Sequence, residues 1–108
     1  MILWVDDIRE PPNESEYIWV KSVNEAKHEI RQIEFYSSVD SGKWLAITLL
    51  DLDHDAGKFA KHGGDYIEIL NWMERTGRSY PIRIHSMNVV GVENMRRIIQ
   101  KNGWTEVR

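Results

Sequence analysis

The sequence predicts an α/β fold built on a parallel sheet, and three observations support this fold class. Short apolar stretches of the kind found in fully buried strands alternate with stretches whose apolar residues recur at helical spacing. The 108 residues match the size of one domain, predicted to span residues 1–108, and 42% hydrophobic with 29% charged residues is typical of globular proteins. Strands that alternate with helices through right-handed crossovers predict three layers, with helices on both faces of the sheet.

The first two strands are predicted on either side of a proline-containing loop. Ile2–Val5 is a short, continuous apolar run, which suits a strand buried on both faces. The sequence Pro-Pro-Asn at 11–13 excludes regular structure and predicts a loop. Tyr17–Val20 is rich in residues that favour strands and is short, which indicates an edge strand.

The next helix and the central strand have clearer signals. Ser22 and Glu25 form a capping-box pattern, and the apolar residues behind them predict a helix over Val23–Tyr36. Residues 40–43 (Asp-Ser-Gly-Lys) predict a turn. Trp44–Leu50 is the longest apolar run and is predicted to be the central strand.

The second half of the chain continues the alternation of helix and strand. It predicts helices over Asp65–Arg75, ended by Gly77, and over Val92–Lys101, with strands at Ile82–Ile84 and Trp104–Val107. Five parallel strands of this kind commonly adopt the order 2-1-3-4-5.

Polar side chains follow three of the predicted strands. They are Asp6 and Asp7, then Asp53, His54 and Asp55, and finally His85 and Ser86. In open parallel sheets, ligands bind beyond the carboxyl ends of the strands. These residues are therefore expected to meet at one edge of the sheet and to form a binding site there.

The acidic residues at this edge predict a divalent metal ion. Several neighbouring carboxylates need a cation or protons to compensate their charge, and carboxylate oxygens favour hard cations. The predicted ligands are Asp6, Asp7, Asp53 and Asp55, and the predicted ion is magnesium, with manganese, calcium and zinc left open. As an alternative, each aspartate could serve only as a turn residue. Asp51 is expected one step inside the edge, in a structural role.

The remaining polar residues suggest phosphate chemistry. His85 and His54 are candidates for general acid–base catalysis, and Asp53 is alternatively a candidate nucleophile. Arg9 and Ser86 are predicted to bind phosphoryl oxygens. Structural alternatives remain: His54 could brace its loop, Ser86 could cap the next helix, and Arg9 could simply pair with the acids.

Composition excludes several classes of protein. The net charge of −3 argues against an extended nucleic-acid surface. The absence of cysteine excludes disulfides and cysteine-based zinc sites. No apolar run reaches the length of about 20 residues that spans a bilayer. We therefore expect no membrane association, and we expect a cytoplasmic location.

Three motifs resemble those of cyclic-phosphate processing receiver-like domains, which are compact relatives of response-regulator receiver domains. They are Val-Asp-Asp-Ile-Arg at 5–9, Asp-His-Asp-Ala-Gly at 53–57 and His-Ser-Met-Asn-Val-Val-Gly at 85–91, with Met95 beyond them. The resemblance implies a receiver-like (flavodoxin-like) fold without the first and last receiver helices, because a proline-containing loop stands in place of the first. It also implies that Asn88 joins Arg9 and Ser86 in binding phosphate.

The resemblance implies a metal-dependent enzyme, a phosphoesterase or phosphotransferase that processes cyclic phosphates of nucleotides or RNA ends. The Lys-Pro element of receivers has no counterpart before Arg108, which favours phosphate chemistry over phosphorelay signalling. One alternative is a non-catalytic receiver-like module that binds metal or phosphate and acts through a protein partner. A plainer alternative is an acidic edge with structural duties only.

Overall fold

The computed structural model describes residues 1–12, 16–40 and 46–108. The elements, in chain order, are β1 (Ile2–Val5), β2 (Tyr17–Val20), α1 (Val23–Asp40), β3 (Leu49–Leu52), a 3₁₀ helix (Gly57–His62), α2 (Ile67–Thr76), β4 (Ile82–Ile84) and α3 (Val89–Asn102). The predicted alternation of strands and helices is therefore present. The 3₁₀ helix was not predicted.

The four strands form one parallel sheet in the order β2-β1-β3-β4, which agrees with the predicted order of the first four strands. Trp4 lies opposite Trp19 on β2 and opposite Asp51 on β3, while Asp51 lies opposite Arg83 on β4. Because all the strands run in the same direction, their carboxyl ends share one edge of the sheet.

The fifth strand predicted at Trp104–Val107 is wrong. This segment runs beside β4 but makes a single bridge, between Ile82 and Glu106. The Ile82 N–H donates to the Thr105 carbonyl (3.0 Å), and the Val107 N–H donates to the Ile82 carbonyl (2.7 Å). Because both bonds involve one residue of a three-residue strand, the segment occupies the fifth position without extending the ladder.

Helix α1 begins where its capping box predicts. The Glu25 N–H donates to Ser22 Oγ (3.0 Å), and the Glu25 carboxylate accepts the Lys21 N–H (3.0 Å), which satisfies two backbone donors at the start of the helix. The helix continues to Asp40, four residues beyond the predicted end at Tyr36.

The other two helices start at positions that their caps explain. Helix α2 begins at Ile67 rather than Asp65, because the Asp65 carboxylate accepts the Ala56 N–H (3.0 Å) and closes the preceding loop. Helix α3 begins at Val89, three residues before its predicted start, because Asn88 caps it.

All three helices pack on one face of the sheet, so the described residues form two layers rather than the predicted three. Side chains that alternate along the strands meet residues from every helix in one core. This core includes Leu3, Val5, Val20, Leu50, Leu52 and Ile82 from the sheet, and Ala26, Ile30, Ile69, Met73, Met95 and Ile99 from the helices. The crossovers from β2 to β3 and from β3 to β4 step in the same direction, and their common hand places α1 and α2 on the same face.

The loop after β1 covers part of the opposite face. No helix lies between β1 and β2 in residues 6–12 and 16, as predicted. Instead, the Trp4 indole donates to the Arg9 carbonyl (2.7 Å), and the Trp19 indole donates to the Asp6 carbonyl (2.8 Å). The Tyr17 ring meets Trp4 edge-on at 6.0 Å. Aromatic contacts on this face thus hold the loop that carries the first acidic pair.

Several predictions fall on residues outside the described ranges. They are Asn13 of the first loop, most of the turn at 40–43, and the first two residues of the strand predicted at Trp44–Leu50. Both ends of that strand are corrected, because residues 46–48 precede it and β3 spans Leu49–Leu52, which includes Asp51. Among the helices of the described ranges, none combines the length and apolar character needed to cross a bilayer.

Candidate functional site

The sheet brings three sequence-distant residues to one edge by continuing its ladder one residue past each strand. The Asp6 N–H donates to the Val20 carbonyl (3.2 Å), and the Asp53 N–H donates to the Val5 carbonyl (2.9 Å). The His85 N–H donates to the Leu52 carbonyl in the same way (2.8 Å). Asp6, Asp53 and His85 are therefore fixed by the backbone at the carboxyl edge.

Three carboxylates converge at this edge. Asp6, Asp7 and Asp53 each offer one oxygen, and these oxygens lie within 4.8 Å of one another. Asp6 is only 1% exposed, and its Oδ1 accepts the N–H groups of Ile8 (2.9 Å) and Arg9 (2.7 Å). Asp6 thus shapes the loop that presents Asp7. We call these three residues the carboxylate group.

Asp53 has the most perturbed electrostatics of the carboxylate group. Burial raises the pKa of its carboxyl above the usual value, and the nearby Asp6 charge adds to this effect. Hydrogen bonds from the His54 N–H (2.7 Å) and the Ser86 hydroxyl oppose the shift by stabilising the ionised form. A bound cation or a proton on the carboxyl group would therefore relieve the unfavourable burial of the Asp53 charge.

His85 bridges two buried acids. Its Nδ1 lies 2.6 Å from Asp51 Oδ1, its Nε2 lies 3.0 Å from Asp6 Oδ2, and its ring stacks on Trp4 with 3.8 Å between ring centres. The imidazole therefore links the two carboxyl groups. Nδ1 of this predicted acid–base residue is engaged with Asp51, and Nε2 is engaged with Asp6.

Asp51 takes the structural position expected of it. It is 1% exposed inside β3, and its second oxygen lies 3.6 Å from the Arg83 guanidinium. Because His85 lies between Asp51 and Asp6, Asp51 fixes the orientation of the imidazole that contacts the carboxylate group. Trp4, from the middle of β1, supplies the surface on which this imidazole stacks.

His54 and Asp55 belong to a second group of side chains rather than to the carboxylate group. His54 Nδ1 lies 2.9 Å from Asp55 Oδ1, and Asn88 Nδ2 donates to both Asp55 oxygens at 3.3 Å. The hydrogen bond from His54 lowers the pKa of Asp55. Asp65, which sequence reasoning missed, places a carboxylate oxygen within 4.8 Å of His54 and Asp55. Asp65 lies about ten residues further along the sequence, and no local pattern indicated that it would meet His54 and Asp55.

The loop after β4 ties this second group to the start of α3. The Asn88 N–H donates to Ser86 Oγ (3.1 Å), and Asn88 Oδ1 accepts the Gly91 N–H (2.9 Å) as the helix cap. A Cβ at Gly91 would lie 2.5 Å from the His54 ring, so only glycine lets the imidazole pack there. Ser86, Asn88 and Gly91 thus form one connected unit with His54.

Two further motif residues take different positions. A Cβ at Gly57 would collide with the Asp7 carboxylate, and its φ of +56° also favours glycine, so Gly57 makes room for Asp7. The Arg9 side chain is exposed, and its backbone carries the contacts with Asp6 and Trp4. The roles predicted for Arg9, Ser86 and Asn88 in phosphate binding remain predictions.

The family model described as Cyclic-phosphate processing Receiver domain matches residues 1–101 of the chain. No curated protein and no solved structure matches this sequence.

Proposed function

The chain belongs to the family of cyclic-phosphate processing receiver domains, and on that premise we propose that it opens cyclic phosphates of nucleotides or RNA ends in a metal-dependent reaction. The observation that carries this proposal is the carboxylate group, in which Asp6, Asp7 and Asp53 meet at the carboxyl edge of the sheet beside Ser86. This is the place where open parallel sheets bind their ligands.

The donor set of the carboxylate group fits a hard divalent cation such as magnesium. Asp6, Asp7 and Asp53 supply three oxygen donors within 4.8 Å of one another, and no nitrogen or sulfur donor belongs to this group. When bound, such an ion would compensate the three negative charges and polarise a phosphoryl oxygen. The carboxylates would be its protein ligands.

Hydrolysis of a cyclic phosphate needs no reactant other than water. The water oxygen forms a bond to phosphorus while one ring P–O bond breaks, and a proton is transferred to the oxygen that leaves. We assign the transfer of this proton to His54. Its ring hydrogen bonds with described residues use Nδ1, with Asp55 orienting it, whereas both nitrogens of His85 are engaged. Ser86 would donate a hydrogen bond to a phosphoryl oxygen.

The test is turnover of adenosine 2′,3′-cyclic phosphate by the wild type and by Asp53→Asn, followed by phosphorus NMR with magnesium or manganese present. We expect the wild type to open the ring, and both Asp53→Asn and chelation by EDTA to abolish the activity. Glu93→Gln, which removes an exposed carboxylate from α3, is the matched control and should retain full activity. An Asp53→Asn protein with the wild-type rate would refute the proposal.

A second candidate function is phosphate binding without turnover, with the signal passed to a partner. The observation that favours it is His85, whose two nitrogens are occupied while its ring couples Asp6 to Trp4. Beryllofluoride with magnesium, which imitates an acyl phosphate, should then change tryptophan fluorescence in the wild type but not in Asp53→Asn. Binding of this kind together with inactivity towards the cyclic phosphate would favour the second function.

A further inference from the structure

A cleft opens directly beside the carboxylate group. It has a volume of about 460 Å³ and is lined by Asp7, Ile8, Gly57, Lys58 and Phe59. Asp7 belongs to both the cleft and the carboxylate group. A ligand whose phosphate lies at the carboxylates can therefore extend into this cleft without leaving the surface. The volume lies within the range of about 300–1,000 Å³ that is usual for small-molecule sites.

Ile8 is a large apolar side chain held in the open at the edge of this cleft. It is 81% exposed, although its backbone N–H is fixed by Asp6 Oδ1 at 2.9 Å. The anchored backbone places the side chain next to Asp7 instead of leaving it on a free loop. Together with Phe59, Ile8 gives the cleft an apolar lining beside the carboxylates.

The lining of the cleft also contains an aromatic ring and a cation. Phe59 packs partly against the core, so its ring has a fixed position. The Lys58 ammonium lies over this ring, 5.5 Å from its centre. Gly57 adds no side chain, and the Asp7 carboxylate occupies the place where a Cβ would lie. The cleft therefore offers two apolar walls and one positive charge beside the carboxylates.

We propose that this cleft binds the planar base of a nucleoside phosphate. Ile8 and Phe59 contact the faces of the base, and Lys58 contacts the phosphate that is held at the carboxylate group. The inference rests on the proposed function for the position of the phosphate, and it adds the recognition of a base.

The chemistry of the cleft favours a base over other groups that a phosphate could carry. A sugar or glycerol offers hydroxyl groups, which find few partners between Ile8 and Phe59. A flat heterocycle buries both of its faces against apolar side chains, and it stacks on aromatic rings whichever of the bases it is. The positive charge of Lys58 complements a phosphate attached to the same ligand.

The experiment measures binding of two probes, adenosine 2′,3′-cyclic phosphate and glycerol 1,2-cyclic phosphate, which lacks a base. Dissociation constants are measured by NMR titration with magnesium chloride present, for the wild type, Ile8→Ser and Met87→Ser. Ile8 and Met87 are 81% and 89% exposed, so neither substitution disturbs the core. Met87 follows β4, two strand positions or about 10 Å from the end of β1, and serves as the matched control.

The wild type should bind the adenosine probe at least about 10-fold more tightly than the glycerol probe, since base stacking contributes on this order. Ile8→Ser should weaken binding of the adenosine probe about 5- to 10-fold and leave the glycerol probe unchanged, while Met87→Ser should change neither. Equal affinity for the two probes, an unaffected Ile8→Ser protein, or a loss in Met87→Ser equal to that in Ile8→Ser would overturn the proposal. So would the absence of binding.

The same samples separate this inference from the proposed function. Turnover of both probes at equal rates, with no effect of Ile8→Ser, would support the cyclic-phosphate chemistry and refute the base subsite. Binding of the adenosine probe that depends on Ile8 but leads to no turnover would support the subsite and refute the chemistry.

Discussion

Replacing His85 by leucine tests the buried chain of side chains that holds the carboxylate group. His85 lies between Asp6 and Asp51, and each of these acids is 1% exposed. The leucine variant keeps an apolar group of similar size against Trp4. It removes the hydrogen-bond partner that Asp6 and Asp51 share, and both carboxyl groups remain buried without it.

The expected loss follows from that burial. Removing His85 leaves two buried carboxyl groups each without one hydrogen-bond partner, and each such loss costs about 1–3 kcal/mol. Small domains have a total stability of about 5–15 kcal/mol, so His85→Leu should remove a large part of it. Urea unfolding, followed by tryptophan fluorescence and by circular dichroism, measures the change. His62→Leu, which changes an exposed histidine, is the matched control and should alter stability by about 0.5 kcal/mol or less.

A second substitution gives the result that distinguishes this reasoning from a loss of packing. In the wild-type background, Asp51→Asn should cost about 1.5–3 kcal/mol, because it weakens the hydrogen bond with His85 and removes the ion pair with Arg83. In the His85→Leu background, the same substitution should cost clearly less, because the hydrogen bond between Asp51 and His85 is already absent. Equal destabilisation by Asp51→Asn in both backgrounds, or a His85→Leu loss below about 1 kcal/mol, would refute the assignment.

Two further substitutions probe the surroundings of the site. Gly91→Ala should destabilise the protein by about 1–3 kcal/mol in thermal unfolding despite the better helix propensity of alanine, because the new Cβ meets the His54 ring; unchanged stability would contradict this contact. In EDTA at neutral pH, Asp53→Asn should raise the melting temperature. Burial raises the folded-state pKa of Asp53, so the wild type loses stability as the pH rises through that pKa, whereas the amide does not. The gain should disappear at low pH, where both side chains are neutral, and a gain independent of pH would exclude this cause.

The convergence of Asp6, Asp7 and Asp53 could be predicted because it depends only on where strands end. Apolar runs locate β1 and β3, and parallel strands bring their carboxyl ends together whatever the rest of the chain does. Which of the remaining polar residues join the carboxylate group, and which join the second group, could not be predicted in the same way. His54 and Asp55 follow Asp53 immediately, yet the chain turns there and directs them towards Asn88.

The errors in the fold have a related cause. Trp104–Val107 has the composition of a strand, but a ladder depends on the length of its neighbour, and β4 has only three residues. The extension of β3 to Leu52 likewise depends on pairing with Ile84, which no local pattern reports. Because that extension includes Asp51, it also determines that His85 finds an acid on each side. The role of His85 is therefore a consequence of register and was not visible in its sequence neighbours.

The hydrogen bonds of Asp6 indicate how many cation ligands each of the three carboxylates could supply. A carboxylate has about four acceptor positions. The backbone of Ile8 and Arg9 uses two of those on Asp6, and His85 faces a third. One acceptor position on Asp6 therefore remains for a ligand, so Asp7 and Asp53 must supply most of the protein oxygens. Asp6 acts chiefly as the rigid centre of the group, since its contacts fix the loop of Asp7 on one side and the imidazole that reaches Trp4 on the other.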